Sequence, residues 1–425
     1  MNKKINNIFL FVCWPFLTLY FNFINIDPFD RSKNIQLQRN ILLFLFFFGF
    51  NYFVLSSTNS DDYRFQQAYY YFQNSIHSLN ELYSYVINSK APTEFIFPLI
   101  TYFVCKSFAS LQVFFIALSV FFGYFYSYNA KFFIIYSENN NYKLLKWVFL
   151  FFLLIFPFWD SINGFRFAAG SHMFFYFLTK NFDFLENKFK KFSLNYLTFF
   201  IPIFIHSSLS LAIFCFFVVI LFPKYKFYFY LFLLSWSMNF FKIVDKLNLN
   251  DFVSKYNFGP EEQKKSLDGY VQKDTIESNK VFYSSLNWNI KLQDNLKNII
   301  ILIVVISLYK KINLNFKIIT LEYFNLALIL ISIGLFLGIE VSSFARYINT
   351  GLLFLFLCFS RLNTLFEHRW MNFMFKSGIL IYLILLFRWS FDLIPLNSLL
   401  PSFSIFNQDK LKLVEWWEKY GGIND

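Results

Sequence analysis

The feature that most constrains this chain is a series of long apolar runs without a single charged residue, for example residues 41–50, 147–159 and 379–387. A helix needs about 20 apolar residues to cross the roughly 30 Å hydrocarbon core of a bilayer. Charged residues form 15% of the 425-residue chain, against about 25% in soluble domains. The sequence therefore predicts an all-α, polytopic integral membrane protein.

We expect residues 1–425 to form a single transmembrane domain, a helical bundle of about 11–12 segments. The segment 194–222 is long for one crossing and is interrupted by Pro202 and by the polar residues at 206–208, so we interpret it as two short helices meeting near His206. The predicted spans cover residues 8–24, 41–56, 107–128, 147–160, 164–180, 194–222, 227–241, 297–309, 318–338, 343–360 and 376–394.

The distribution of basic residues predicts the orientation of these spans. Lys and Arg gather in cytoplasmic loops, and this rule explains the net charge of +12 without a nucleic-acid partner. It places the Lys- and Arg-bearing loops 129–146, 180–193, 310–317 and 361–376 in the cytoplasm. The loop 57–94, the large loop 242–296 and the C-terminal tail 395–425 are then expected to be periplasmic.

Two arginines follow short polar breaks on the predicted outer side, where the positive-inside rule does not favour them. Arg166 follows the break at 160–165, and Arg346 follows the break at 340–345. Each could simply pair with a nearby carboxylate, Asp160 or Glu340. Because guanidinium binds phosphate oxygens in pairs and keeps its charge, the two arginines also favour a diphosphate ligand, with Arg64 as a third candidate.

Three residues are candidates for a general base. His206 lies in an apolar stretch at the predicted helix break, and imidazole titrates near neutral pH. Asp62 begins a Tyr-rich polar stretch, and Glu94 precedes an apolar run. Each residue also has a purely structural interpretation. His206 could be a packed histidine, Asp62 could belong to a solvated loop, and Glu94 could be a carboxylate at a helix N-terminus that interacts favourably with the helix dipole.

Several signatures are absent from the sequence. It contains no P-loop, no D-x-D, and no His or Cys spacing typical of zinc. Its four cysteines, Cys13, Cys105, Cys215 and Cys358, sit in apolar runs and are expected to be packed thiols. We therefore expect neither a metal nor another cofactor.

The order of these motifs resembles that of the EpsG family, a branch of the Wzy-type polysaccharide polymerases, over residues 40–360. The motifs are Asp62-Tyr63-Arg64 with Tyr70, Glu94-Phe95, Asn163-Gly164-Phe165-Arg166, Ile205-His206-Ser207-Ser208 and Ser343-Phe344-Ala345-Arg346-Tyr347. This sequence departs from some Wzy proteins in lacking an Arg-x₁₀-Gly pattern after Arg166. Its polar break before Arg346 is also shorter than is common in the family.

The resemblance implies a glycosyltransferase of the bacterial inner membrane that builds O-antigen, capsule or exopolysaccharide. Its substrates would be oligosaccharide repeat units on undecaprenyl diphosphate, and a chain-length regulator protein would be a partner. Arg166 and Arg346 would hold the diphosphate, and His206 would lie near the reacting centre of a metal-independent, inverting transfer. The alternatives are another lipid-linked transferase, such as an O-antigen ligase, or a flippase that moves lipid-linked oligosaccharide.

Overall fold

A computed structural model describes residues 14–24, 27, 30–54, 61–89, 91–135, 142–180, 194–241, 288–315, 318–337, 342–360 and 369–390. Within these ranges all regular structure is helical, as the sequence predicts, and no strand occurs. The α-helices are α1 Pro15–Ile24, α2 Arg31–Asn51, α3 Asp61–Ser75, α4 Leu79–Ile87, α5 Ile96–Phe108, α6 Leu111–Ile135, α7 Tyr142–Ile155, α8 Phe165–Lys180, α9 Leu209–Leu221, α10 Tyr225–Phe240, α11 Trp288–Asn315, α12 Ile318–Leu337, α13 Ser342–Ser360 and α14 Arg369–Ser390. Short 3-10 helices cover Phe158–Ser161 and Leu194–Phe204.

Three helical segments of the described chain are long and apolar enough to cross a membrane: Leu111–Ile135, Lys291–Lys311 and Arg369–Leu386. Shorter apolar helices include Leu209–Leu221 and Ala345–Phe359. A helix satisfies its own backbone hydrogen bonds, which is why it can cross a lipid core that offers no partners. The described part of the chain is therefore helical and contains three segments that could cross a membrane.

The polar region 57–94, which we treated as a loop, contains helices α3 and α4. Phe65, Tyr69 and Phe72 are buried along one side of α3, at the spacing of an amphipathic helix. The predicted span 107–128 also differs from the structure, because α5 ends at Phe108 and α6 begins at Leu111. Ala109 separates them in a left-handed conformation, with φ of 47°.

The helices cluster in two compact units. Residues 1–84, 95–176 and 386–425 form the first unit, and residues 85–94 and 177–385 form the second. In the first unit, the ring of Phe97 packs against three other helices: its centroid lies 4.7 Å from Phe65, 6.1 Å from Phe114 and 6.3 Å from Phe165. Aromatic packing thus holds the starts of α3, α5, α6 and α8 together.

In the second unit, α12 packs along α13 and also contacts α9 and α10. Gly351 allows the close approach of α12 and α13, because a Cβ there would lie 2.8 Å from the carbonyl oxygen of Ala327. Small residues are the usual means of bringing membrane helices together. Indole Nε1 of Trp236 on α10 donates to the carbonyl oxygen of Asn298 on α11 at 3.0 Å.

Cys105, Cys215 and Cys358 are buried free thiols, as the sequence predicts. Cys13, Glu340, most of the predicted large loop (242–287), the loop 181–193 and the tail 391–425 lie outside the described residues.

Candidate active site

The apolar stretch 194–222 breaks where the sequence predicts it to. The 3-10 helix ends at Phe204, α9 begins at Leu209, and Pro202 lies inside the first of these helices. The carbonyl oxygen of Pro202 accepts the N–H groups of both Ile205 and His206 at 3.1 Å. Residues 206–208 therefore form a turn between two apolar helices. At membrane depth, the backbone polar groups of such a turn need hydrogen-bond partners from the protein.

Glu94 supplies the first of these partners. Its Oε1 accepts the backbone N–H and the hydroxyl of Ser207, each at 2.8 Å, across 113 residues of sequence. The side chain is 8% exposed. A carboxylate is stabilised by charge-assisted hydrogen bonds and by the positive end of a helix dipole, here the start of α9. The alternative interpretation of Glu94 was a carboxylate at the N-terminus of the helix that follows it; the carboxylate instead binds at the start of α9, which is distant in sequence.

His206 lies beside this carboxylate. Its Nδ1 is 2.8 Å from the hydroxyl oxygen of Ser208, 3.3 Å from the backbone nitrogen of Ser208 and 3.6 Å from Oε1 of Glu94. The last distance is too long for a hydrogen bond, but a carboxylate so close stabilises the protonated ring. The Ser208 hydroxyl can donate to Nδ1 or accept from it, so either neutral tautomer is accommodated.

Tyr347 joins a third segment to the same turn. Its hydroxyl donates to the backbone carbonyl of Ser208, and the side chain is buried. The preceding residue, Arg346, is exposed in the second turn of α13. The second unit therefore brings Glu94, His206 and the segment containing Arg346 together, although they are far apart in sequence.

Sequence reasoning missed one cation in this unit. Lys297 on α11 donates from Nζ to Oδ1 of Asn349 on α13 at 2.8 Å. The signal in the sequence was an ionisable residue at the edge of a predicted span, 297–309, since such residues within membrane segments are usually paired or functional. Lysines near helix ends commonly extend to the interface, so the sequence alone does not distinguish Lys297 from such residues.

In the first unit, Asp62 is buried and its Oδ2 accepts the hydroxyl of Tyr52 at 2.8 Å. Arg64 is 66% exposed at its side chain and lies 3.4 Å from Asp61. Such surface ion pairs contribute little to stability. Asp62 is thus held within the helix packing and Arg64 extends towards solvent.

Arg166, also in the first unit, is half-buried in the first turn of α8. The helix starts directly after Gly164, whose φ of 90° is a conformation that other residues rarely adopt. The helix dipole disfavours a cation at this positive end, so the position of Arg166 indicates a role other than stabilising the helix. An anion would be attracted both by the guanidinium and by the N–H groups of this first turn.

The second unit thus offers a titratable ring, a carboxylate that stabilises its protonated form, and exposed or half-buried cations. This set suits a proton transfer close to an anionic group. No family model, curated protein or solved structure matches this chain.

Proposed function

We propose that the chain is a polysaccharide polymerase of the EpsG, Wzy-type class, a multi-pass protein of the bacterial inner membrane. Its site would face the periplasm and would join lipid-linked oligosaccharide units. The observation that carries the proposal is the meeting of Glu94, His206-Ser207-Ser208 and Tyr347, which come from three distant segments that the family resemblance singles out.

The proposed reaction needs one base and one anion site. His206 accepts the proton of the acceptor hydroxyl as its oxygen bonds to the anomeric carbon of the donor sugar. The bond between that carbon and the diphosphate oxygen breaks, and polyprenyl diphosphate leaves. Arg346 stabilises the charge that develops on the diphosphate, which is already a good leaving group. A single displacement of this kind inverts the anomeric configuration.

Deleting the gene in its source bacterium tests the class of function. We expect the surface polysaccharide to collapse to single repeat units and lipid-linked repeat units to accumulate, because the earlier steps remain intact. Return of the wild-type gene should restore long chains, and a His206→Ala gene should not. Polysaccharide of normal length in the deletion strain would contradict the proposal.

A reaction with purified protein separates the polymerase from the alternatives. Repeat units extracted from the deletion strain serve as both donor and acceptor, in detergent and without any other protein. A polymerase converts them into longer lipid-linked chains and releases polyprenyl diphosphate. A flippase forms no bond, and a ligase leaves the units single unless its own acceptor is added.

A further inference from the structure

Lys297 is half-buried on α11, within the segment Lys291–Lys311 that is long and apolar enough to cross a membrane. Ionisable residues in such segments are rare and are usually paired or functional. Its Nζ is held at 2.8 Å by Oδ1 of Asn349. Asp294 lies about one turn earlier on the same helix. Asn349 on the neighbouring helix α13 thus holds the ammonium group.

Asn349 also relates this lysine to Arg346. An α-helix advances by about 100° per residue. Around the axis of α13, Asn349 is therefore rotated by about 60° from Arg346 in one direction, and Tyr347 by about 100° in the other. Arg346 lies on the strip of α13 between the residue that binds Lys297 and the residue that binds the His206–Ser208 turn.

We propose that Lys297 is a second cationic ligand for the diphosphate of the donor lipid, positioned by Asn349 beside Arg346. This inference rests on the proposed function for the identity of the ligand. Two cations on adjacent helices match a diphosphate, whose negative charge is spread over two phosphate groups, better than a single phosphate, whose charge is concentrated at one phosphorus. Lysine acts as a point charge and arginine as a planar fork, so each would take different oxygens of the diphosphate.

The test measures the affinity of purified full-length protein for two probes in detergent micelles, farnesyl diphosphate and farnesyl monophosphate. We expect Lys297→Gln to weaken diphosphate binding by about tenfold, the size of one charge-assisted hydrogen bond. The monophosphate should be affected less, so that the preference for diphosphate falls. Lys297→Arg should keep most of the preference.

The matched control is Lys291→Gln, because Lys291 is an exposed lysine on the same helix. This variant should bind both probes as the wild type does.

A lysine that only stabilises the helix pair would give a different result. Lys297→Gln would then lower the melting temperature while the ratio of the two affinities stayed at the wild-type value, and the inference would be wrong. It would also be wrong if wild-type protein did not bind farnesyl diphosphate, or if Lys291→Gln had the same effect. If Lys297→Gln does not fold, Asn349→Leu, which keeps the charge but removes its anchor, should still lower the ratio.

The polymerisation assay separates this inference from the proposed function. Wild-type protein that binds diphosphate through Lys297 but makes no polymer would contradict the function and support the ligand site. Protein that polymerises normally, with an unchanged affinity ratio in Lys297→Gln, would contradict the ligand site alone.

Discussion

Glu94 has two roles that one substitution can separate. Its Oε1 accepts two hydrogen bonds from Ser207, and its charge lies 3.6 Å from Nδ1 of His206. In Glu94→Gln, an amide oxygen can still accept from Ser207, but the negative charge is gone. We therefore expect a melting temperature close to that of the wild type and turnover reduced by about ten- to hundredfold, because the protonated ring loses its partner.

Glu94→Ala is the matched comparison. It removes the hydrogen bonds as well as the charge and should lower both turnover and melting temperature. Thermal unfolding in detergent, measured beside the polymerisation rate, distinguishes the two variants. Wild-type turnover in Glu94→Gln would show that the carboxylate serves only to hold the start of α9.

Arg346 should not tolerate replacement by lysine. Lysine keeps the charge but loses the planar fork that binds two phosphate oxygens, so Arg346→Lys should reduce turnover by about tenfold or more. The same is expected of Arg166→Lys. Arg369→Lys, at an exposed position at the start of α14, is the control and should leave turnover unchanged. Normal polysaccharide length in Arg346→Lys would remove Arg346 from the diphosphate site, and normal length in Arg166→Lys would show that turnover does not need the guanidinium of Arg166.

At the scale of elements, the packing of α12 against α13 depends on Gly351. In Gly351→Ala the new methyl group would meet the carbonyl oxygen of Ala327 at 2.8 Å, and a backbone atom cannot move aside easily. We expect a loss of stability of about 1–3 kcal/mol, seen as a lower melting temperature in detergent. The displaced α13 should also lower turnover, since it carries Arg346 and Tyr347.

Gly378→Ala provides the control within the same unit. There the new methyl group would meet side-chain atoms alone, Cγ1 and Cδ1 of Ile300 at 3.2 Å and 3.3 Å and Cδ1 of Leu296 at 3.9 Å, and these side chains can shift. Alanine also favours a helix over glycine by about 1 kcal/mol, so stability should be unchanged or higher. Equal destabilisation by both substitutions would mean that close backbone approach is not what sets the α12–α13 distance.

The sequence could predict some of these elements and not others. The break before α9 was predictable, because Pro202 and three polar residues interrupt an apolar run. Helices α3 and α4 were not. The polar composition of α3 resembles that of a loop, and its buried Phe65, Tyr69 and Phe72 are spaced for packing that sequence alone does not show. Helix α4 is short and buries only Leu82. The partner of Glu94 was also hidden, since the contact joins residues 113 positions apart.

At the scale of the whole molecule, the predicted orientation can be tested at described positions. Ser84, exposed in α4, belongs to the predicted periplasmic region, and Lys310, exposed near the end of α11, to a predicted cytoplasmic loop. In a variant without Cys13, we expect Ser84→Cys to react with an impermeant thiol reagent applied to cells whose outer envelope is permeable to it. Lys310→Cys should react only after the inner membrane is opened. The reverse pattern would place the proposed site in the cytoplasm.

The central claim is that His206 is the base of a polymerisation reaction, in a site that binds the donor diphosphate independently of it. The most direct measurement compares purified wild-type protein and His206→Gln on lipid-linked repeat units from the deletion strain, with farnesyl diphosphate affinity measured in parallel. We predict that turnover falls by about a hundredfold or more, the usual contribution of a general base, while the affinity stays at the wild-type value. A His206→Gln protein that keeps most of its turnover would contradict the account, because a neutral amide of similar size can pack in place of the ring but cannot accept the proton.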